Sequence, residues 1–188
     1  MSGSINTSRI PLLERDQVTP EVANVYDALQ KSRGVVPNMF KTLAHTPALA
    51  LATAGYLKAL LSDGALPGWC KELVATRVSV LMGSHYAVSA HSLSAQQKGA
   101  TADQIEAVKI DFDRGRFTEA QKLGLRCAER IHRSASEIDD GFFANLKQMF
   151  NDQQIIELVA TASVFEFFPR FVDALRIPIT PSPAKVLE

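Results

Sequence analysis

The sequence predicts an all-α protein, and three observations support this prediction. Apolar residues recur with the spacing of one helix face, most clearly where Leu73, Val74, Val78 and Leu81 follow one another. Cap residues, prolines and glycines separate such stretches at intervals that suit helix ends. Strand signals are nearly absent, because there is no sustained alternation, no Asn-Gly hairpin and few β-branched clusters. We therefore expect roughly eight helices.

The first half of the chain carries clear signals for helix ends. Thr19 followed by Pro20 predicts a helix start, since proline suits the first helical position, and Gly34 predicts the end of that helix. Asn38 is predicted to cap the next helix. Pro47 is predicted to start a further helix.

The second half carries capping boxes and a proline-rich end. Thr101 with Gln104, and Thr118 with Gln121, have the spacing of capping boxes that open two more helices. The last dozen residues contain three prolines, so they cannot continue a helix and are predicted to lie along a surface.

The length of 188 residues suits a single domain over 1–188, with its motif core at about 45–125, an N-terminal arm at 1–18 and a C-terminal tail at 177–188. Lysine plus arginine equals aspartate plus glutamate at 20 each, and no block of like charge occurs. This balance gives no electrostatic reason to expect a nucleic acid or membrane partner.

The chain also shows no basic region followed by an apolar core at its start, so no signal peptide is predicted. Its two cysteines, Cys70 and Cys127, lie far apart and indicate neither a disulfide framework nor a metal cluster. We expect two half-buried thiols in the reducing cytoplasm, and neither a metal nor a cofactor.

The one stretch that looks like a functional site runs from residue 70 to residue 91. A continuous helix would hold Glu72 and His91 roughly 28 Å apart, at about 1.5 Å per residue. Gly83 interrupts the helical pattern, and Ser84 is a good cap for a second helix. A break there can fold the two helices back, so that the carboxylate and the imidazole meet.

An internal repeat supports a fold built from two similar helical units. The segment Glu157-Leu-Val-Ala-Thr-Ala-Ser-Val164 is nearly identical in sequence to the segment that starts at Glu72. Only the first copy is followed by a histidine, His91, so only the first copy is predicted to carry chemistry.

The frame Glu72, Ser84-x-x-Ala87 and His91, with Tyr86 before the second slot, resembles the alkylhydroperoxidase D (AhpD)/carboxymuconolactone decarboxylase superfamily, and its peroxidase-related branch in particular. Thiol-dependent members carry a Cys-x-x-Cys pair where this chain has Ser84 and Ala87. The resemblance implies an AhpD-like helical fold with an internal duplication. It also implies a homo-oligomer, a trimer or a hexamer.

Three functional hypotheses follow from this resemblance. The first is cofactor-free acid–base chemistry, decarboxylation or proton transfer, on a small carboxylated or lactone substrate. In this hypothesis His91 is the acid or base and Glu72 orients it. Tyr86 or His85 would bind a substrate oxygen, with Ser84 nearby. The second is a non-catalytic or ligand-binding relict of the antioxidant family. The third is a peroxidase that uses Cys70, which is disfavoured because no second cysteine resolves the oxidised thiol.

Overall fold

The computed structural model describes residues 8–182, and within them the protein is all-α, as predicted. The nine helices of these residues are α1 (Pro20–Arg33), α2 (Asn38–Leu43), α3 (Pro47–Leu61), α4 (Gly68–Leu81), α5 (His85–Gln97), α6 (Ala102–Ile110), α7 (Glu119–Ser134), α8 (Asp140–Met149) and α9 (Asp152–Ala174). The outermost parts of the predicted arm and tail, residues 1–7 and 183–188, lie outside the described residues.

Most helix ends lie where the sequence predicted them. Gly34 ends α1 with a φ of 74°, a left-handed conformation that suits glycine. Thr101 opens α6 and Thr118 opens α7, and each forms the predicted capping box with the glutamine three residues later. These ends depend on local hydrogen bonds, which is why the sequence was sufficient to place them.

The chain divides into two compact units. One unit contains the described residues up to Ala59 and from Phe171 onward, and the other is Leu60–Arg170. Helices α3 and α9 each run from one unit into the other. The prediction of one domain over 1–188 stays a prediction.

In the first unit, the core includes Val22 and Tyr26 of α1 and Phe40 of α2. The Tyr26 hydroxyl donates to the carbonyl oxygen of Leu13 at 3.1 Å, and burial raises the pKa of Tyr26 to about 12. The tyrosine therefore stays protonated and holds the N-terminal segment to α1.

The predicted cap at Asn38 is wrong. Pro37 is the N-cap residue of α2, and the Asn38 side chain instead donates from Nδ2 to the carbonyl oxygen of Pro178 at 3.0 Å. The backbone amide of Asn38 donates to Oγ1 of Thr180 at 2.9 Å. Asparagine therefore holds the C-terminal segment against α2, a long-range role that local sequence does not indicate.

In the second unit, α4 packs against α5, α6 and α7. The buried residues of α4 include Leu73, Val74 and Val78, as the apolar spacing predicted. The charged segment 111–116 contains a short 3-10 turn at Phe112–Arg114. The side chain of Phe112 is buried, and this burial explains why the segment is more ordered than its charge suggests.

Helix α9 contains Pro169 in its interior and continues beyond it to Ala174. Among the described residues, no helix is both long enough and apolar enough to cross a membrane.

Candidate functional site

The break at Gly83 brings Glu72 and His91 together. Gly83 has a φ of 69°, which side chains other than glycine adopt only with strain, and it separates α4 from α5. Ser84 is the N-cap residue of α5, as predicted. The two helices pack against each other, so that the carboxylate of α4 faces the imidazole of α5.

Glu72 is the centre of a buried polar network. Its side chain is 0% exposed, and its Oε2 lies 2.7 Å from Nδ1 of His91. Its Oε1 accepts hydrogen bonds from Oγ of Ser94 at 2.7 Å and from Nζ of Lys98 at 2.6 Å. Burying a carboxylate costs several kcal/mol unless it is paired, and here the ammonium group and two further donors compensate for the lost water.

The network determines which nitrogen of His91 carries the proton. Lys98 can only donate, and its charge beside Glu72 favours the ionised carboxylate, which can only accept. Nδ1 of His91 must therefore donate to Oε2 of Glu72. In the neutral imidazole, the lone pair is then on Nε2, the nitrogen that can take up a proton from a bound molecule.

Lys98 has a second structural role. Its Nζ also donates to the carbonyl oxygen of Leu61, the last residue of α3, at 2.7 Å. A cation at this position satisfies a free carbonyl group at a helix C-terminus and interacts favourably with the helix dipole. Lys98 thereby ties the end of α3 to the site.

The imidazole is sheltered by an aromatic ring. Phe165 of α9 packs edge-on against His91, with ring centroids 4.2 Å apart and an interplanar angle of 72°. The side chain of His91 is 11% exposed. Of the neighbouring aromatic residues of α9, Phe168 is also buried, whereas Phe167 is exposed. Phe165 therefore forms one wall of the site.

The other predicted site residues are placed differently. Tyr86 and Ser84 are buried, whereas His85 is exposed at the first residue of α5. Six residues along a helix correspond to about 120° of rotation in the shorter sense, so His85 and His91 lie on different sides of α5. The structure thus joins Glu72 and His91, and the roles assigned to the other three residues stay predictions.

Cys70 does not belong to this network. It lines an apolar cavity between α4, α7 and α9 to which neither Glu72 nor His91 contributes. Burial raises the pKa of the Cys70 thiol to about 12, so the reactive thiolate is scarce at neutral pH.

The sequence reasoning missed Ser94, Lys98 and Phe165. A signal for the first two was present, because His91, Ser94 and Lys98 follow at i, i+3 and i+7 and so share one helix face. No signal within the sequence connects Phe165 to the site, since the contact depends on how α9 packs.

The second copy of the repeated segment holds its glutamate differently. Oγ1 of Thr76 donates to the carbonyl oxygen of Glu72 at 2.8 Å, and Oγ1 of Thr161 donates to that of Glu157 at 2.6 Å. The Glu157 carboxylate accepts from Nζ of Lys71 at 2.9 Å and from two backbone amides of the loop before α4. Glu157 is thus a structural anchor, and the predicted duplication of a helical unit stays a prediction.

Within residues 8–182, no three side chains of His, Cys, Asp or Glu come together as a metal site would require. The network itself offers an oriented imidazole beside a buried carboxylate that also binds Lys98.

Known proteins show the same fold. Residues 47–112 match the carboxymuconolactone decarboxylase family. YnjA, an uncharacterised protein of Escherichia coli strain K12, is 24% identical over 173 residues, which cover 91% of this chain and 90% of YnjA.

Two crystal structures are similar over nearly the whole chain. A peroxidase-related protein with an AhpD core from Ralstonia eutropha JMP134 is 23% identical, with a TM-score of 0.85 and 92% of each chain covered. A cysteine-to-alanine variant of the debrominase Bmp8, in complex with 2,3,4-tribromopyrrole, is 25% identical, with a TM-score of 0.82 and coverage of 96% of this chain and 95% of Bmp8. Residues 47–112 are thus similar to the carboxymuconolactone decarboxylase family, and the described residues have the all-α fold of AhpD-like, peroxidase-related structures.

Proposed function

We propose that this protein is a cofactor-free acid–base enzyme that acts on a small carboxylated or lactone substrate. His91 transfers the proton through Nε2, and Glu72 orients the imidazole and stabilises the imidazolium. The observation that supports this proposal is the 2.7 Å bond between Nδ1 of His91 and a fully buried carboxylate.

The proposed reaction is proton transfer at a carbon atom next to a carbonyl group. As a base, Nε2 of His91 takes the proton from that carbon, and the electron pair of the C–H bond moves into the enolate. In a decarboxylation no C–H bond is broken first: Nε2 takes the proton of the substrate carboxylic acid, the electron pair of the C–C bond stays on the carbon atom as carbon dioxide leaves, and the imidazolium then protonates that carbon. Such a positioned base contributes about 10²- to 10⁴-fold to the rate.

The test is hydrogen–deuterium exchange at carbon, which requires no knowledge of the natural substrate. Small lactones and β-keto acids are incubated with the protein in D₂O, and loss of the C–H signal and release of carbon dioxide are followed by NMR. His91→Gln removes the proposed base and is expected to slow both processes about 10²- to 10⁴-fold.

A matched control is available in the same chain. Nδ1 of His132 lies 2.8 Å from Oε1 of Glu166, which makes a second imidazole–carboxylate pair. His132→Gln is expected to leave exchange unchanged. Equal rates in the two variants, or no exchange by the wild-type protein with any substrate of the panel, would contradict the proposal.

A second candidate function is ligand binding without catalysis. The packing of Phe165 against His91 supports it, because this ring occupies space on one side of the imidazole. Bmp8 shows that a chain of this fold binds a small brominated pyrrole. Saturable binding of panel compounds without exchange at carbon would favour this candidate.

Peroxidase activity through Cys70 has little physical support. Burial raises the thiol pKa to about 12, and Cys70 lines a cavity apart from His91. Peroxide turnover that Cys70→Ser abolishes would overturn this view.

We also propose that the chain forms a homo-oligomer, a trimer or a hexamer. Leu49, Leu51 and Tyr56 of α3 are all more than a third exposed, and exposed apolar side chains on one helix favour contact with another protein surface. Light scattering on the purified protein measures its mass directly, and a monomer at micromolar concentration would contradict the proposal.

A further inference from the structure

An apolar cavity separate from the Glu72–His91 network lies in the unit Leu60–Arg170. Its volume is about 50 Å³, and its walls come from α4, α7 and α9. Its lining includes the buried side chains of Leu125 and Leu158 and the half-buried rings of Trp69, Phe117 and Phe150. None of the four polar residues of the network lines it.

A glycine in the wall keeps this space open. Gly124 lies inside α7 and is buried, and glycine within a helix is about 0.5–1 kcal/mol less favourable than alanine. A Cβ atom at this position would meet Leu158 at 3.6 Å and Phe150 at 3.8 Å, which are ordinary contacts. An alanine would therefore fit at this position without a clash. The absence of a side chain at Gly124 leaves volume in the cavity that a methyl group would fill.

The size and chemistry of the cavity determine what it accepts. One water-sized group needs about 10–15 Å³ of such volume, so the cavity accepts about three to five non-hydrogen atoms. Its lining is almost wholly apolar, and Nζ of Lys71, a side chain that also lines it, is bound to Glu157. A charged ligand would lose its hydration without finding a free partner charge.

We propose that this cavity is a binding site for a small uncharged apolar molecule, or for the apolar end of a larger one, with Trp69, Phe117 and Phe150 around its entrance. The site is independent of the proposed acid–base function. Cys70, in the same wall, is covered when the site is filled.

Trp69 makes the binding measurable, because it is the only tryptophan of the chain. Thiophene, an uncharged five-membered ring, is the probe, and butyrate is the charged control. Thiophene is expected to shift the Trp69 emission to shorter wavelength in a saturable manner, since it removes water from the rim. Thiophene is also expected to slow alkylation of Cys70, while butyrate has neither effect.

Gly124→Ala is the decisive variant. Its methyl group enters the cavity without a clash, and it is expected to weaken thiophene binding about 10- to 200-fold, the effect of one misplaced methyl-sized group in an apolar pocket. Gly55→Ala is the matched control. Gly55 is also inside a helix, α3, and nothing lies within 4 Å of a Cβ atom there, so this variant is expected to bind as the wild type does.

Further variants keep the proposal testable. Val74→Leu adds a methylene group from α4 and is expected to weaken binding even if Gly124→Ala does not fold. His91→Gln is expected to bind thiophene normally, so that failure of the acid–base function and failure of this proposal can be distinguished.

A response to thiophene that is absent, not saturable or unchanged in both cavity variants would overturn the proposal. Emission of Trp69 that depends on protein concentration would overturn it as well, because a second copy of the chain would then cover the entrance.

Discussion

Replacing Glu72 by glutamine tests the central network most directly. The amide has nearly the same shape as the carboxylate but carries no charge, and one oxygen becomes an NH₂ group. Lys98 can only donate, so the amide oxygen must face Lys98 and Ser94, and the NH₂ group must face Nδ1 of His91. Nδ1 then has to accept, and the proton of the neutral imidazole moves to Nε2.

The energetic cost follows from the three hydrogen bonds that Glu72 accepts. Charge-assisted bonds contribute about 1.5–3 kcal/mol each and neutral ones about 0.5–1.5 kcal/mol, so weakening three bonds costs about 3 kcal/mol. The side chain of Lys98 is 31% exposed, and water therefore compensates part of its lost partner. We expect the free energy of unfolding to fall by about 2–3 kcal/mol.

Two measurements check this prediction. Nitrogen-15 NMR of the imidazole distinguishes the two neutral forms of His91, and urea unfolding measures the free energy. Any exchange activity at carbon is expected to fall by about 10²- to 10⁴-fold, no further than in His91→Gln, because the wrong tautomer leaves no lone pair on Nε2.

Glu166→Gln is the control for this experiment. Glu166 faces His132 in the same way, but its side chain is 20% exposed and its other partner, Arg170, is 64% exposed. The cost there is expected to be about 1 kcal/mol or less. If Glu72→Gln leaves the proton on Nδ1 of His91, or is no more destabilising than Glu166→Gln, the reasoning about this network is refuted.

Two further predictions concern titration. Burial alone would raise the pKa of Glu157, but the hydrogen bonds that it accepts from backbone amides and from Lys71 lower it more, so its pKa is below the usual value. Its stabilising contribution is present above the unfolded pKa of about 4.3 and is lost as pH falls through the folded pKa. Glu157→Gln should therefore lower the free energy of unfolding at pH 7, as measured by urea titration. The difference in this free energy between variant and wild type should shrink below about pH 4. A constant difference from pH 3 to 7 would speak against this. The second concerns the thiols: burial raises the pKa of Cys70 to about 12 and that of Cys127 to about 11. Alkylation by iodoacetamide should therefore be slow at pH 8 and rise about tenfold per pH unit up to pH 10, whereas rapid labelling at neutral pH would show an activated thiolate.

The sequence was sufficient for features that depend on neighbouring residues. The ends of α1, α6 and α7 follow from Gly34 and from two capping boxes, because these signals act through local hydrogen bonds. The sequence also indicated that Glu72 and His91 can meet, because Gly83 lies between two helical segments and allows the second segment to fold back on the first.

Only the tertiary structure decided what surrounds the Glu72–His91 pair. Lys98 contacts Glu72 from 26 residues away, and Phe165 contacts His91 from 74 residues away. The packing of α5 and α9 determines both contacts. The same holds for Asn38, whose side chain binds the C-terminal segment 140 residues away instead of capping α2. A local pattern shows which face of a helix is apolar, but not which distant side chain lies opposite it. For this reason the sequence indicated the Glu72–His91 pair, and the fold determined the partners of that pair, the tautomer of His91 and the separate apolar cavity.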